Sequence, residues 1–473
     1  MSCLWISDDA AKATRGKSLN NWSATGISID SRSVEPGDLF MAISGPNFDG
    51  HDFVLSALKK GASAAIISHD IDGFAPEMPL LNVKDTFEAL NDLGRAGRNR
   101  SEAVVIAVTG SVGKTGVKEA LGQLLSSQGK TSYSRGSFNN HLGVPLSLAR
   151  LPKDADYAVF ELGMNHAGEL TQLSRIARPS VAIVTNVEAT HVEFFSTIDD
   201  IAHAKAEIFQ GLEEGGTAIL NRDNKYFDLL AAAATAAGAK SVIGFGLHDE
   251  AQFKLIDFAL SSRGSTVEAE FDDGLLTYRL SMPGRHWVQN SLAVLAAVQA
   301  VGADVFAAAQ SFTNIKPLKG RGQRYILPIK GGQFELIDDS YNASPVSIAA
   351  ALKVLAGSVV GPSGRRICAL GDMRELGNSS ADFHRALAPH VRTANVDLVY
   401  AAGPGMKHMC GELPDTIGIV HTDKSVELVE LLQDEIQPGD VVLVKGSAGS
   451  QMNKLVEAFL DFQQGSKEAK HAI

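Results

Sequence analysis

The sequence contains little cysteine, three residues in 473, and these lie far apart at Cys3, Cys368 and Cys410. An odd number of cysteines at this spacing matches neither a disulfide framework nor a zinc-ligand pattern. Such usage is typical of a reducing compartment, and we therefore expect a cytoplasmic protein. The first nine residues also lack the segments of a secretory signal peptide, because Asp8 and Asp9 stand where apolar residues are needed.

Long apolar runs and an excess of positive charge are absent as well. No stretch approaches the roughly 18 to 20 apolar residues that a membrane span needs, so we expect no membrane insertion. Asp and Glu total 54 against 43 Lys and Arg, which gives a formal charge of −11. This balance argues against a broad surface for nucleic acid or anionic lipid, although a local basic pocket stays compatible with it.

The chain does have the composition of a folded protein, with 45% hydrophobic and 21% charged residues. Its length predicts about three domains. Apolar strands alternate with helical segments through 103–245 and again through 334–444, which is typical of parallel sheets covered on both faces. We predict an α/β fold with a small N-terminal α/β domain at 1–99, a central P-loop ATPase-like domain with a parallel sheet at 100–318, and a C-terminal Rossmann-like domain at 319–473.

The strongest local motif follows the apolar strand predicted for 103–109 and precedes a helix predicted for 117–127. It consists of Thr109, Gly110, Ser111, Val112, Gly113, Lys114 and Thr115. A loop at such a point directs backbone N–H groups and a helix N-terminus at one spot, which suits phosphate. Lys114 would contact the β- and γ-phosphates and the Thr115 hydroxyl would ligate Mg²⁺. Val108 replaces the first glycine of the general P-loop pattern, so this is a shortened version; the alternative is an ordinary Gly-rich turn.

Two more residues are candidates on position alone. Glu161 ends the apolar strand predicted for 157–161 and so points to the ligand-bearing edge of a parallel sheet, unless it is a surface acid. Lys205 falls on the apolar stripe of a helix predicted for 198–212, one turn after Ile201. Its ammonium either reaches the rim of the core or is buried, and a buried amine must be paired or deprotonated. A neutral amine reacts with CO₂ to form a carbamate, which is an anionic metal ligand.

The loop at 109–115 resembles the ATP loop of the Mur ligase family, the ATP-dependent ligases that add amino acids to the peptidoglycan precursor. Further segments are similar to the family in the order in which they occur along the chain, and especially to the branch that joins D-alanyl-D-alanine to UDP-N-acetylmuramoyl-tripeptide. They are residues 31–40, 48–53, 139–145, 161–166, 338–343 and 371–377. The resemblance implies a ligase that uses ATP and Mg²⁺ to join these two substrates through an acyl phosphate of the tripeptide, releasing ADP and phosphate.

The resemblance also implies roles for single residues around the nucleotide. Glu161 would bind one Mg²⁺ and His191 a second, although a lone histidine is more often structural. Lys205 would carry the carbamate. In the family, positions matching His286 and Asn290 hold adenine, and those matching Arg321 and Asp339 contact phosphate and ribose.

Substrate contacts are implied in the same way. Ser31 and Arg32 would hold the uridine-diphosphate end, Asn139 and Asn140 the sugar–peptide path, and Tyr341 and Asn342 the incoming dipeptide. The three domains would then bind the UDP-sugar, ATP and the dipeptide, in that order, and we expect a monomer. Read without the resemblance, Asn139 and Asn140 are only part of a polar loop.

Several positions depart from the family pattern, namely Val112, Gly116, Trp287, Ser344 and Ala448. The family commonly has a hydroxyl residue at the position of Gly116 and often Asn at that of Trp287; it usually has Arg where Ala448 follows Lys445-Gly446-Ser447. Three alternative interpretations stay open at this point, and Val112, Trp287 and Ala448 bear on the last of them. These interpretations are another Mur-type amino-acid ligase, a folylpolyglutamate synthase-like enzyme and a non-catalytic sensor of nucleotide sugars.

Overall fold

The computed structural model describes residues 3–73, 75–134, 136–190 and 192–468, without the side chains of 462–468. The predicted α/β class is confirmed: within the described residues there are three larger sheets, of five, nine and six strands, built mainly from parallel pairs. Each sheet lies inside one of the three predicted domains. The domain boundaries themselves stay a prediction.

The N-terminal unit is a small sheet with helices packed against it. Its strands are β1 (Trp5–Ile6), β2 (Lys17–Ser18), β3 (Ser23–Ala24), β4 (Gly26–Ser28), β5 (Asp38–Met41), β6 (Ala64–Ile67) and β7 (Leu80–Asn82). Its helices are α1 (Ser7–Thr14), α2 (Val54–Lys59) and α3 (Thr86–Arg100). The five-stranded sheet has the order β2-β7-β6-β5-β4 and is parallel except for β2.

The central unit carries the nine-stranded sheet. Its strands are β8 (Val104–Thr109), β9 (Thr131–Tyr133), β10 (Tyr157–Glu161), β11 (Val181–Val184), β12 (Thr217–Asn221), β13 (Ser241–Gly246), β14 (Phe253–Ser261), β15 (Gly264–Phe271) and β16 (Gly274–Leu280). Its helices are α4 (Lys114–Ser126), α5 (Gly143–Ala149), α6 (Glu169–Ala177), α7 (Ile198–Ala206), α8 (Phe227–Ala236), α9 (Arg285–Ala300) and α10 (Val305–Ser311). The order is β16-β15-β14-β13-β12-β11-β8-β10-β9, with β14 to β16 antiparallel.

The C-terminal unit has a sheet of order β17-β18-β22-β19-β20-β21. Its strands are β17 (Gln323–Ile329), β18 (Gly332–Asp339), β19 (Arg366–Gly371), β20 (Leu398–Ala402), β21 (Gly418–Thr422) and β22 (Val441–Lys445). Its helices are α11 (Pro345–Ala356), α12 (Ser380–Arg385), α13 (Ala388–Thr393), α14 (Met406–Cys410), α15 (Leu428–Glu435) and α16 (Asn453–Glu468). Strand β17 pairs antiparallel with β18 at the edge, whereas the other pairs are parallel.

The central sheet is buried on both faces, as its continuous apolar strands predict. Side chains of β8 alternate between two cores: Ile106 and Val108 pack with α4 and α9, while Val105 and Ala107 pack with α5, α6 and α7. Because both faces of the strands are covered by apolar cores, the polar residues of the sheet are expected at the carboxyl ends of the strands, where ligands bind in such sheets. Among the described residues, no helix is both long enough and apolar enough to cross a membrane.

Two local predictions need correction, and one strand was missed. Helix α4 begins at Lys114 and not at 117, because Gly113 adopts the left-handed conformation (φ 89°) and starts the helix at once. The helix predicted for 198–212 ends at Ala206 and continues as a 3₁₀ helix, Glu207–Gly211. Strand β17 was not predicted, because it is an edge strand with few buried side chains and a proline, Pro328.

The N-terminal and central units are joined by close backbone packing of α3 on α5. A Cβ atom added at Gly97 would lie 2.2 Å from the carbonyl oxygen of Leu148, so no other residue fits without a shift of one helix. Buried Arg98 extends this contact by donating from Nε to the carbonyl oxygen of Ala177 at 2.9 Å.

We expect Gly97→Ala to destabilise the protein although alanine is the better helix former. Helix propensity alone would favour alanine by about 1 kcal/mol. The clash with Leu148 outweighs that gain, and we expect the free energy of unfolding to fall by about 2 kcal/mol. Thermal denaturation monitored by circular dichroism measures the effect. Gly357→Ala is the matched control, because a Cβ there would be 3.7 Å from its nearest atom; equal stability of the two variants would contradict the prediction.

Candidate active site

Most of the predicted site residues converge on one cavity at the carboxyl ends of β8, β10 and β11, which are neighbours in the central sheet. The cavity has a volume of about 620 Å³ and is also lined by the C-terminal unit. The predicted residues that line it are Thr109, Gly110, Ser111, Val112, Gly113, Lys114, Thr115, Asn139, Glu161, Lys205, His286, Asn290, Arg321, Asp339, Tyr341 and Asn342. The strand order brings the loop after β8 next to Glu161 at the end of β10.

The loop between β8 and α4 has the shape of a phosphate-binding loop. Gly110 and Gly113 both have positive φ, 144° and 89°, which side chains disfavour. The Lys114 ammonium donates to the carbonyl oxygen of Gly110 at 2.7 Å and so folds back over the loop. Burial lowers the pKa of Lys114, and the nearby Glu161 carboxylate opposes that shift. A cation and a helix N-terminus thus converge on one spot.

The segment after β11 braces this loop, a feature that the sequence did not reveal. Thr185 donates from its hydroxyl to the carbonyl oxygen of Val112 at 2.6 Å. The Ser111 amide donates to the carbonyl oxygen of Asn186 at 2.8 Å, and the Glu188 amide donates to the Ser111 hydroxyl at 2.9 Å. The loop is therefore held from one side before any ligand binds.

Oxygen ligands suited to a divalent cation lie beside the loop. Thr115 donates from its hydroxyl to one Glu161 carboxylate oxygen at 2.6 Å, and Asn139 donates from its side-chain amide to the other at 2.8 Å. Glu161 is buried, at 1% exposure. A hydroxyl and a carboxylate in contact are hard oxygen donors of the kind that Mg²⁺ prefers. The predicted second ligand, His191, lies outside the described residues.

Lys205 is buried in the same cavity wall, with 2% of its surface exposed. Burial, reinforced by the positive charge of Lys114, places its pKa well below the ordinary lysine value. Within the described residues no carboxylate forms an ion pair with it. The interpretation as a solvated rim lysine is therefore wrong, and the buried-amine alternative applies.

The first two turns of α9 form another wall of the cavity. Asn290 lies against the phosphate loop, since a Cβ on Gly113 would be 2.8 Å from its side-chain oxygen. Desolvation within the cavity lowers the pKa of the His286 imidazole, although the charge of the Asp339 carboxylate opposes that shift. A neutral His286 imidazole offers one N–H donor and one nitrogen acceptor.

The C-terminal unit contributes a network of charged groups. The Lys445 ammonium donates to the Asp339 carboxylate at 2.7 Å and to the carbonyl oxygen of Asn342 at 2.9 Å. Arg321 lies over the ring of Tyr341 at 4.3 Å and donates to the Ser137 hydroxyl of the central unit at 3.2 Å. Arg321 thus already links the two units. Ser137 was missed because a serine in a polar loop has no distinctive signal.

Buried Lys118 is a second residue that sequence analysis missed. Its ammonium donates to the carbonyl oxygens of Ser134 at 2.6 Å and Gly136 at 2.9 Å, and it pairs with Glu119. It therefore supports the loop that carries Ser137 and Asn139. Its position one turn after Lys114, on the buried side of α4, was the available signal.

Three predicted substrate residues do not line the cavity. Arg32 is a surface side chain paired with Asp30 at 2.7 Å, and that pairing lowers the pKa of Asp30. Ser31 accepts a hydrogen bond from Lys60 through its carbonyl oxygen. The Asn140 side-chain oxygen accepts from the Gly143 amide at 2.9 Å, next to α5. Their substrate roles stay predictions.

A cluster of potential metal ligands in the described N-terminal unit, Asp49, His51 and His69, does not form a comparable site. His51 accepts from the Ser68 amide through Nε2 at 2.9 Å, so its proton is on Nδ1, which lies 2.6 Å from Asp49. Both ring nitrogens are therefore engaged, and no lone pair remains for a metal.

Comparison with known proteins decides the family. Residues 23–97, 108–298 and 321–448 match the family models for the Mur ligase family catalytic domain, the Mur ligase middle domain and the Mur ligase glutamate ligase domain. The UDP-N-acetylmuramoyl-tripeptide–D-alanyl-D-alanine ligase of Escherichia coli is 37% identical over 91% of this chain and 93% of its own length. The chain belongs to the Mur ligase family.

Solved structures of Mur ligases agree with this assignment. A crystal structure of MurF from Acinetobacter baumannii is 31% identical, with a TM-score of 0.82 over 97% of this chain and 99% of that one. MurF from Thermotoga maritima, solved in complex with ADP, is 28% identical, with a TM-score of 0.74 over 93% and 98%. The three-domain Mur ligase fold predicted from the sequence is thereby confirmed.

For this Mur ligase we expect Glu161→Gln to weaken the dependence of activity on Mg²⁺ more than it weakens the affinity for the substrates. The amide keeps the shape and one oxygen acceptor but removes the negative charge that favours a divalent cation. The Mg²⁺ concentration for half-maximal activity should rise by about 10- to 100-fold. Titration of activity with Mg²⁺ at saturating nucleotide measures it. Glu188→Gln is the control, because Glu188 contacts the loop through its backbone; an equal shift there would contradict the prediction.

Proposed function

We propose that this chain joins D-alanyl-D-alanine to UDP-N-acetylmuramoyl-tripeptide at the expense of ATP, in the synthesis of the peptidoglycan precursor. The observation that carries the proposal is one cavity in which a phosphate loop, an oxygen cluster suited to Mg²⁺ and polar residues of a second unit meet. The relatives that cover nearly the whole chain are named for this reaction.

The reaction proceeds in two steps. The terminal carboxylate of the tripeptide attacks the γ-phosphorus of ATP, and the bond to the bridging oxygen breaks, giving an acyl phosphate and ADP. The free amine of D-alanyl-D-alanine then attacks the acyl carbon, and phosphate leaves from the tetrahedral intermediate. Lys114 and the N–H groups at the start of α4 hold the phosphoryl oxygens as charge moves onto them.

Thr115 and Glu161 would hold the cation of the nucleotide complex. Bound Mg²⁺ supplies positive charge that neutralises the phosphoryl oxygens. Lys205 as a carbamate would add one negative ligand to this wall, and its buried amine and low pKa favour that modification. His191 would complete the set.

Recognition of the substrates is divided among the units. Arg321 contacts the phosphates of ATP and Asp339 contacts its ribose. His286 and Asn290 contact the adenine ring. Tyr341 and Asn342, which line the cavity, would contact the incoming dipeptide.

The other predicted residues would bind the UDP-N-acetylmuramoyl-tripeptide. Ser31 and Arg32 of the N-terminal unit hold the uridine-diphosphate end, and Asn139 and Asn140 follow the sugar–peptide path. We place the enzyme in the cytoplasm, in keeping with its three free cysteines, and propose that it is a monomer.

Phosphate release tests the function directly. Purified protein is given ATP, Mg²⁺ and tripeptide precursor containing either diaminopimelate or lysine, with and without D-alanyl-D-alanine. We expect release that depends on the dipeptide, together with a pentapeptide product found by mass spectrometry. Release without the dipeptide, or with a single amino acid in its place, would indicate a different ligase. The absence of ATP turnover would favour the nucleotide-sugar sensor.

A further inference from the structure

Gly116 is the third residue of α4 and has no conformational reason to be glycine. Its φ is not in the left-handed region, and glycine within a helix costs about 1 kcal/mol relative to alanine. The explanation must therefore lie in what surrounds it.

The surroundings of Gly116 are an indole ring. A Cβ atom at Gly116 would lie 3.0 Å from Cη2 of Trp287 and 3.4 Å from Cζ2. Trp287 is in turn the third residue of α9, so the first turns of the two helices meet at this contact. Both residues line the cavity.

A second contact joins the same two helix starts. Asn290, one turn after Trp287, lies against Gly113 at the end of the phosphate loop. The spacing that the indole imposes between α9 and α4 therefore also sets the distance from Asn290 to the loop. A bulkier residue at 116 would push the helices apart, and a smaller one at 287 would leave a void between them.

We propose that Gly116 and Trp287 form a complementary pair that fixes α9 against the phosphate loop, which makes Trp287 a positioning residue for nucleotide binding. The inference rests on the proposed function in that the nucleotide is taken to be ATP or ADP. The indole takes the volume in which a side chain at 116 would stand, so the two positions depend on each other.

Direct binding of ADP and Mg²⁺ without the other substrates tests the pair. Isothermal titration calorimetry is run on the full chain, on Gly116→Thr, on Trp287→Asn and on the double variant. We expect each single variant to bind ADP about 10-fold more weakly, and the double variant to bind at least about 10-fold more tightly than the product of the single effects predicts. Gly116→Ala adds only the Cβ and gives a milder version of the first variant if the threonine does not fold.

Fluorescence gives an independent readout of the position of Trp287. The other tryptophans, Trp5 and Trp22, are buried in the core of the N-terminal unit. We therefore expect saturating ADP to change the intrinsic emission of the wild-type chain and not that of Trp287→Phe, whose shorter ring does not reach Gly116 and which should therefore bind ADP more weakly than the wild-type chain.

The results of these experiments distinguish a failure of the Gly116–Trp287 pair from a failure of the proposed ligase function. Wild-type binding of ADP with strictly multiplicative effects of the two substitutions would overturn the pairing. An ADP-dependent emission change that persists in Trp287→Phe would remove Trp287 from the nucleotide wall. Failure of the wild-type chain to bind ADP would instead overturn the proposed function, and this inference with it.

Discussion

Replacing Lys114 with methionine is expected to lower kcat/KM for ATP by about three orders of magnitude. The Lys114 ammonium is the cation that folds over the phosphate loop, where it donates to the carbonyl oxygen of Gly110. Methionine keeps the length and much of the volume of the side chain, so the loop should keep its shape while the charge is lost. Most of the loss should appear in kcat, because the positive charge matters most while the phosphoryl group is transferred.

The structure supplies a matched control for this variant. Lys118 is also on α4 and is fully buried, but its ammonium is held by Ser134, Gly136 and Glu119 beneath the cavity. We expect Lys118→Met to lower the thermal unfolding temperature, whereas Lys114→Met should leave that temperature nearly unchanged. Steady-state kinetics and thermal denaturation of both variants measure the contrast. A fall in kcat/KM of less than tenfold in Lys114→Met would contradict the role given to this lysine.

Much of the site was predictable because parallel strands share an edge. The phosphate loop follows β8 and Glu161 ends β10, so any sheet that places these strands side by side brings Glu161 to the loop. Lys205 was only partly predictable. A lysine on the apolar stripe of α7 is either solvated or buried, and only the packing of that helix decides between the two.

The supporting residues were not predictable, because they act on backbone atoms. Thr185 bonds the carbonyl oxygen of Val112, and Lys118 bonds two carbonyl oxygens of a loop. Any residue type offers a backbone carbonyl, so the partner leaves no trace in the sequence. Trp287 was noticed only as a departure from the family pattern. Its contact with Gly116 gives that departure a physical meaning, since two positions far apart in sequence share one volume.

Replacing Lys205 with alanine is expected to reduce activity by about 100- to 1,000-fold, and a small carboxylate should restore part of it. If Lys205 carries a carbamate, the variant lacks a negative ligand but gains a hole of about the size of the lost side chain. Acetate or propionate would place a carboxylate in that hole, and we expect a recovery of roughly tenfold. Chloride at equal ionic strength is the control for a general salt effect.

The carbamate can also be observed without measuring activity. Burial lowers the pKa of Lys205, so its amine is neutral at a lower pH than that of an exposed lysine, and only the neutral amine reacts with CO₂. Incubation with ¹³C-bicarbonate should therefore give a carbamate carbon signal by NMR in the wild-type chain and none in Lys205→Ala. The signal should weaken as pH falls, because protonation of the amine competes with carbamate formation. A variant that loses activity without rescue by carboxylate, in a chain that shows no such signal, would leave Lys205 as a buried neutral amine, and the metal site would then lack that ligand.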